Sequence, residues 1–260
     1  MFARAQQLKK HGVLLVPLPP HKVAHGRELF KQYLANIPEH KDGVVFQGDY
    51  GAGSFGAINL ASAYHNPASV YIDEFVIEEM EPIITPLGSL HGAGFYELLP
   101  DRLCVRKSLK PQNPESWHTD NSSFAFDPDD IFLSSIVNFN EDSDQFFTCV
   151  PGSHTLGARM NGGDYTPEGD TELWKQKEVS YRIPPNHALL FFENIVHRIS
   201  GKKPKKPLLR KFVAFRLTND ENGWCPENDA RMETQAALAH KGGQVAPMVP
   251  RLWLCNWPDK

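Results

Sequence analysis

Apolar residues recur at helical spacing over Leu29, Phe30, Tyr33, Leu34 and Ile37, and Pro38 closes the run, which predicts a helix ending there. Residues 2 to 10 predict a shorter helix that stops near Gly12. Val13 to Leu18 predicts a strand that breaks at the cluster Pro17-Leu18-Pro19-Pro20. From about Gly94 the pattern changes. Leu98 to Leu109, Ile131 to Phe139, Gln145 to Val150, Val179 to Ile183, Ala188 to Phe192 and Arg210 to Leu217 read as strands, punctuated by Gly, Pro, Asn and Asp. Many short strands separated by such turns predict a mainly β, α+β fold, a jelly-roll barrel with the helices packed outside. A parallel α/β sheet needs alternating helices that the second half does not offer.

With 260 residues, 41% of them hydrophobic, the chain is long enough for one sizeable core, so a single domain over 1–260 is expected. It divides into a helical part to about residue 90, a barrel over about 91–218 and an extension over about 219–260. The net charge of −4 argues against a nucleic-acid binder, and apolar runs such as Val13-Leu14-Leu15-Val16 are far too short for a membrane span. The N-terminus lacks the charged-then-apolar layout of a secretory signal. Cys104, Cys149, Cys225 and Cys255 form no Cys-x-x-Cys pair. Reduced thiols and a cytoplasmic location are expected.

The chemistry concentrates at Trp117-His118-Thr119-Asp120. Residues i and i+2 of a strand point to one face, so His118 and Asp120 can grip one ion together. His197 lies just past the apolar strand Ala188 to Phe192, where a strand end can deliver a third ligand. Two imidazoles and a carboxylate with open positions are what a non-haem Fe(II) oxygenase needs. The second His-x-Asp triplet, His40-Lys41-Asp42, falls in a polar turn before Gly43 and reads as surface.

Four segments carry a resemblance to the Fe(II)- and 2-oxoglutarate-dependent dioxygenases, in particular to their phytanoyl-CoA dioxygenase-like branch. They are Lys110-Pro111 leading into Trp117 to Asp120, the turn Pro151-Gly152-Ser153-His154, the stretch from Ala188 to His197-Arg198-Ile199-Ser200-Gly201, and Arg210 to Phe215. The resemblance implies a double-stranded β-helix, a cupin-like barrel. It implies that His118, Asp120 and His197 hold Fe(II), and that Arg210 anchors the distal carboxylate of 2-oxoglutarate. Arginine suits that task, because its planar guanidinium meets a carboxylate with two parallel hydrogen bonds and stays charged when enclosed. Arg216 has the same strand parity as Arg210, so the sequence leaves the choice between them open. Ile199 and Phe212 stand where the family often has a hydroxyl residue, and Ser200 is the neighbouring hydroxyl.

Related halogenases replace the ligand carboxylate with a small residue, so the presence of Asp120 implies hydroxylation, with O2 as co-substrate and succinate and CO2 as co-products. No catalytic residue beyond the ligands is assigned. The substrate, a small molecule or a peptide residue, and the oligomeric state are not legible. The alternatives are a non-catalytic jelly-roll binding or structural protein with a vestigial metal site, and a different metal enzyme such as a zinc hydrolase.

Three further segments carry expectations. The glycine-dense stretch Gln47 to Gly56 lacks the ending of a phosphate loop and reads as a surface loop. Lys202, Lys203, Lys205 and Lys206 read as a solvated hairpin tip, with attraction of an anionic substrate as the alternative. Trp253 and Trp257 are expected to dock the C-terminal extension onto the barrel, and a partner surface is the other use of such aromatics.

Overall fold

The computed structural model describes residues 2–36, 46–47, 56–58, 67–99, 103–106, 117–120, 130–155, 171–199, 206, 208–219 and 253–256. In chain order the elements are α1 (Phe2–His11), β1 (Val13–Pro17), α2 (Pro20–Asn36), β2 (Phe46–Gln47), β3 (Gly56–Ile58), α3 (Pro67–His91), β4 (Phe95–Leu99), β5 (Leu103–Arg106), β6 (Ile131–Asn138), β7 (Gln145–Cys149), α4 (Thr171–Lys177), β8 (Val179–Ile183), β9 (His187–Phe192), β10 (His197–Ile199), β11 (Leu208–Thr218) and β12 (Trp253–Asn256).

Local chemistry explains the first turns of the fold. Helix α1 carries Lys9, Lys10 and His11 in its last turn, where positive charge meets the negative end of the helix dipole. Gly12 then takes a left-handed φ of 76° and returns its N–H to Leu8 O at 2.7 Å, which ends the helix and turns the chain into β1. A side chain is also excluded at Gly12 by packing, since a Cβ there would lie 2.3 Å from His154 Nδ1. Helix α2 opens on Pro20, whose fixed φ and missing N–H suit a first helical position.

The strands form two antiparallel sheets. The larger runs β1-β9-β6-β11-β5-β3-β2, with β4 also on β11 and β12 on β4, and the smaller runs β10-β7-β8. Strand parity divides two apolar clusters between the faces of the larger sheet. Ala188, Leu190 and Phe192 of β9, Leu133 and Val137 of β6, and Val213, Phe215 and Leu217 of β11 pack with Phe30, Ile72, Val76, Met80, Ile84 and Leu87 of the helices. The alternate residues Leu189, Phe191 and Ile136 pack with Phe147, Cys149 and Ile183 of the smaller sheet, with Phe212 and Tyr181 against them. The second cluster is the barrel interior, and it faces the site described below.

The expected α+β jelly-roll architecture is present, with three corrections. Among the described residues, three helices precede β4 where periodicity gives two, because α3 runs through Pro82 and Pro86. Proline inside a helix costs a backbone hydrogen bond, and the burial of Ile72, Phe75, Val76, Met80, Ile83, Ile84 and Leu87 offsets that loss. The single strand expected over Leu98 to Leu109 is two strands, β4 and β5. Pro100, which has no N–H to give a ladder, stands between them in the sequence. The short helix α4 was not foreseen.

The C-terminal extension pairs with β4 through β12, with Trp253 opposite Leu98 and Cys255 opposite Tyr96. Trp257 and the triplet His40-Lys41-Asp42 lie outside the described residues. Of the glycine-dense stretch, Gln47 and Gly56 belong to β2 and β3, and the residues between them are outside the description. Among the described residues, no helix is long and apolar enough to cross a membrane.

Candidate metal centre

The site is assembled by a two-residue ladder between distant segments. His118 and His197 exchange both backbone hydrogen bonds, N–H to O at 2.9 Å in each direction, and Asp120 donates its N–H to Glu193 O at 2.8 Å. The short segment 117–120 is thereby laid along the chain that joins β9 to β10. That chain is fastened from behind by the turn Pro151 to His154. Ser153 Oγ accepts the Val196 N–H at 2.8 Å, Val150 N–H reaches Val196 O at 2.9 Å, and Asn194 Nδ2 donates to His154 O at 3.0 Å. The turn Pro151 to His154 therefore supports the residue before His197, and the ring of His154 itself stacks on Phe192.

Three side chains converge as the spacing predicts. One donor atom from each of His118, Asp120 and His197 lies within 4.8 Å of the other two. His118 Nε2 is 3.7 Å from Asp120 Oδ1, His197 Nε2 is 3.5 Å from Asp120 Oδ2, and the two imidazoles are 4.3 Å apart at their centroids. His197 is only 4% exposed. Its Nδ1–H donates to Ile195 O at 3.0 Å, which leaves the Nε2 lone pair directed at the cluster. Burial pushes this imidazole below its ordinary pKa, the Asp120 carboxylate pulls it back up, and His118 pushes it down. The neutral, ligand-competent form is therefore favoured. The ring is held by stacking on Phe147 at 4.9 Å and by the edge of Phe191 at 5.8 Å. A borderline ion with two nitrogen donors and one carboxylate oxygen, such as ferrous iron, fits this donor set.

Both candidate arginines point into the barrel, as their shared parity requires, but at different levels and with different partners. Along β6, Ser134 lies opposite Phe191 and Ala214, and so marks the level of the histidines. Arg210 lies opposite Asn138, four residues further along β6, or about 13 Å at strand rise. Arg216 lies opposite Phe132, two residues to the other side. Arg216 makes a two-point contact with the Asp130 carboxylate, Nε at 2.6 Å and Nη2 at 2.5 Å. Arg210 donates its Nε to the amide oxygen of Gln145 at 2.8 Å and is 5% exposed. Its guanidinium lies 5.7 Å from the ring centre of Phe212. Ser200 lies outside the described residues.

The sequence assigns no role to Gln145, Asn138 and Asp130, and for Ser153 it marks only the turn. Gln145 left one signal, as the polar residue at inward parity in the strand Gln145-Phe146-Phe147-Thr148-Cys149. Of the lysine cluster, Lys206 pairs with Asp142 in the turn between β6 and β7, on the outer side of the Arg210 end, which fits the hairpin-tip reading. Lys202, Lys203 and Lys205 are outside the described residues. Cys149 is a free, buried thiol whose pKa burial pushes up to about 12.

No family model matches the chain, and no curated protein matches it. Solved structures do. The epimerase SnoN in complex with Fe3+, α-ketoglutarate and nogalamycin RO superposes with a TM-score of 0.61 at 18% identity over 83% of this chain and 82% of its own. The non-haem α-ketoglutarate-dependent carbocyclase SnoK gives 0.59 at 13% over 95% and 93%. EctD from S. alaskensis with 2-oxoglutarate and 5-hydroxyectoine gives 0.56 at 16% over 83% and 75%. The chain thus has the double-stranded β-helix fold of non-haem iron, 2-oxoglutarate-dependent enzymes.

Proposed function

We propose that this protein is an Fe(II)- and 2-oxoglutarate-dependent oxygenase that hydroxylates a small-molecule or peptide substrate, with succinate and CO2 as co-products. The observation that carries the reading is the convergence of His118, Asp120 and His197 within 4.8 Å at the interior of this fold. In this reading those three side chains hold Fe(II), and Arg210 anchors the distal carboxylate of 2-oxoglutarate. Its place on the far side of the histidines from Arg216 supports that choice, as does the engagement of Arg216 by a carboxylate.

When bound, the iron and 2-oxoglutarate supply the oxidising power that activates O2 toward an unactivated C–H bond. The chain's own contribution is placement and exclusion of water. Ile195 O fixes the tautomer of His197, Phe147 and Phe191 fix the ring plane, and Asp120 supplies the negative charge that a divalent cation requires. The apolar wall of Phe147, Phe191 and Phe212 lowers the local dielectric, which strengthens the grip of Arg210 on an anion. The presence of Asp120 supports hydroxylation over halogenation. Epimerase and carbocyclase neighbours have the same fold, so the product must be read chemically.

The test is turnover of 2-oxoglutarate by the Fe(II)-loaded protein in air, followed as succinate. The proposal expects iron-dependent succinate release that His118→Ala and Asp120→Ala abolish while the variants stay folded. Succinate release that survives both substitutions would sink the ligand assignment.

A further inference from the structure

We infer that Gln145 is a positioning residue that sets the guanidinium of Arg210 for the distal carboxylate of 2-oxoglutarate. The inference rests on the reading of Arg210 proposed above and adds the residue through which the barrel aims it.

The inner face of β7 links the two ends of the site. Phe147 stacks on His197, and two residues earlier, at the same parity, Gln145 takes the Nε–H of Arg210 at 2.8 Å. Gln145 is 1% exposed, so its amide has to find every partner inside the protein. Its Nε2 lies 2.9 Å from Asn138 Oδ1, 3.1 Å from Asn140 Oδ1 and 2.7 Å from Leu209 O. All three are acceptors. A flipped amide would press the Gln145 oxygen against them, so the amide has one allowed direction, and it sends Oε1 to Arg210.

The acceptors are themselves fixed. Asn138 donates from Nδ2 to Ser143 O and to Ile183 O, both at 2.9 Å, and its Oδ1 also accepts the Asn140 N–H at 3.0 Å. Asn140 Oδ1 accepts the Leu209 N–H at 3.1 Å. This small network ties the turn after β6 and the start of β7 to Leu209, the residue before Arg210. Backbone and side chain of the arginine are therefore positioned by one set of amides.

The chemistry of the partner explains its identity. Asp130 meets Arg216 with a carboxylate, which neutralises it. Gln145 meets Arg210 with a neutral oxygen, which orients the guanidinium through Nε and contributes no negative charge to compete with an arriving anion. A guanidinium held in one plane is set to meet the distal carboxylate through paired hydrogen bonds.

The test measures affinity of the anaerobic Fe(II) protein for 2-oxoglutarate and for pyruvate, a 2-oxo acid with no distal carboxylate, by the visible absorption each produces. Gln145→Met is expected to weaken 2-oxoglutarate about tenfold, the loss of an orienting bond to a charged group, and to leave pyruvate and iron content unchanged. In an Arg210→Ala background the same substitution is expected to change neither acid. An unchanged 2-oxoglutarate affinity, an equal loss for pyruvate, or a full additional loss in the Arg210→Ala background would overturn the inference while leaving the oxygenase reading intact. A wild-type protein that binds no 2-oxoglutarate would overturn both. If Gln145→Met does not fold, Asn140→Ala, which removes one of the three acceptors, is expected to weaken 2-oxoglutarate alone by about twofold to threefold. No change in that variant would likewise overturn it.

Discussion

His118 and His197 form a reciprocal backbone pair, each donating its N–H to the other's carbonyl at 2.9 Å. Two of the three metal-ligand candidates are thus held in register by the main chain before any ion arrives, and the register depends on what fixes Val196, next to His197. Ser153 Oγ is the acceptor for the Val196 N–H. Ser153→Ala leaves that buried donor without the acceptor, at a cost of about 1–3 kcal/mol. Urea unfolding is expected to show this loss, and Fe(II) titration a weaker affinity. Wild-type iron affinity in the variant would show that the ladder alone sets the ligands.

Behind the strand of Arg210 lies a second buried charge pair. Lys211, at the opposite parity, sends its ammonium 3.1 Å from Asp73 of α3, and its side chain is fully buried. Removing one member leaves the other charged in an apolar layer, so Asp73→Leu alone is expected to destabilise by about 3–5 kcal/mol. Asp73→Leu combined with Lys211→Met is expected to recover part of that loss, because two apolar residues need no partner. Chemical denaturation of the two variants checks the ordering.

The helices and the barrel meet at a group of histidines that gives stability an acid limit. Burial pushes the His154 imidazole below its ordinary pKa, its bond to Lys9 O raises it, and His11 lowers it. His91 is shifted down as well, by burial and then by Lys9 and His154. Above about pH 6.5 both the folded and the unfolded imidazole are neutral, and the shift contributes nothing. Below it the unfolded chain takes up a proton that the folded chain refuses, so stability falls as pH falls from that value through the folded pKa. His154→Gln is expected to flatten this acid slope of Tm relative to wild type at equal metal loading, so that the contribution of His197 cancels. An unaltered slope would remove His154 as a source.

Much of this was legible in the sequence, because strand alternation is local. It predicts Val179–Ile183 with its observed limits, and Ile131–Asn138, Gln145–Cys149 and His187–Phe192 to within a residue at each end. The pairing of His118 with Asp120 follows from their spacing, although the segment makes only an isolated bridge at His118 and not the expected strand. Helix α3 was not read as an element, since Pro82 and Pro86 oppose it locally and only packing against the sheet outweighs them. The choice between Arg210 and Arg216 was open for a different reason. Their parity is the same, and what separates them is one partner 65 residues away and another 86 residues away. A chain read residue by residue cannot show that one is met by an amide and the other by a carboxylate.

If one barrel interior holds Fe(II) through His118, Asp120 and His197 and 2-oxoglutarate through Arg210, the visible spectrum of the anaerobic Fe(II) protein should report both together when it is titrated with 2-oxoglutarate in wild type, Arg210→Ala and Arg216→Ala. A charge-transfer band that saturates in wild type, needs far more 2-oxoglutarate in Arg210→Ala, and keeps its wild-type midpoint in folded Arg216→Ala is the expected result. No band in a folded, iron-loaded wild-type protein, or a midpoint that moves with Arg216 and not with Arg210, would contradict this assignment.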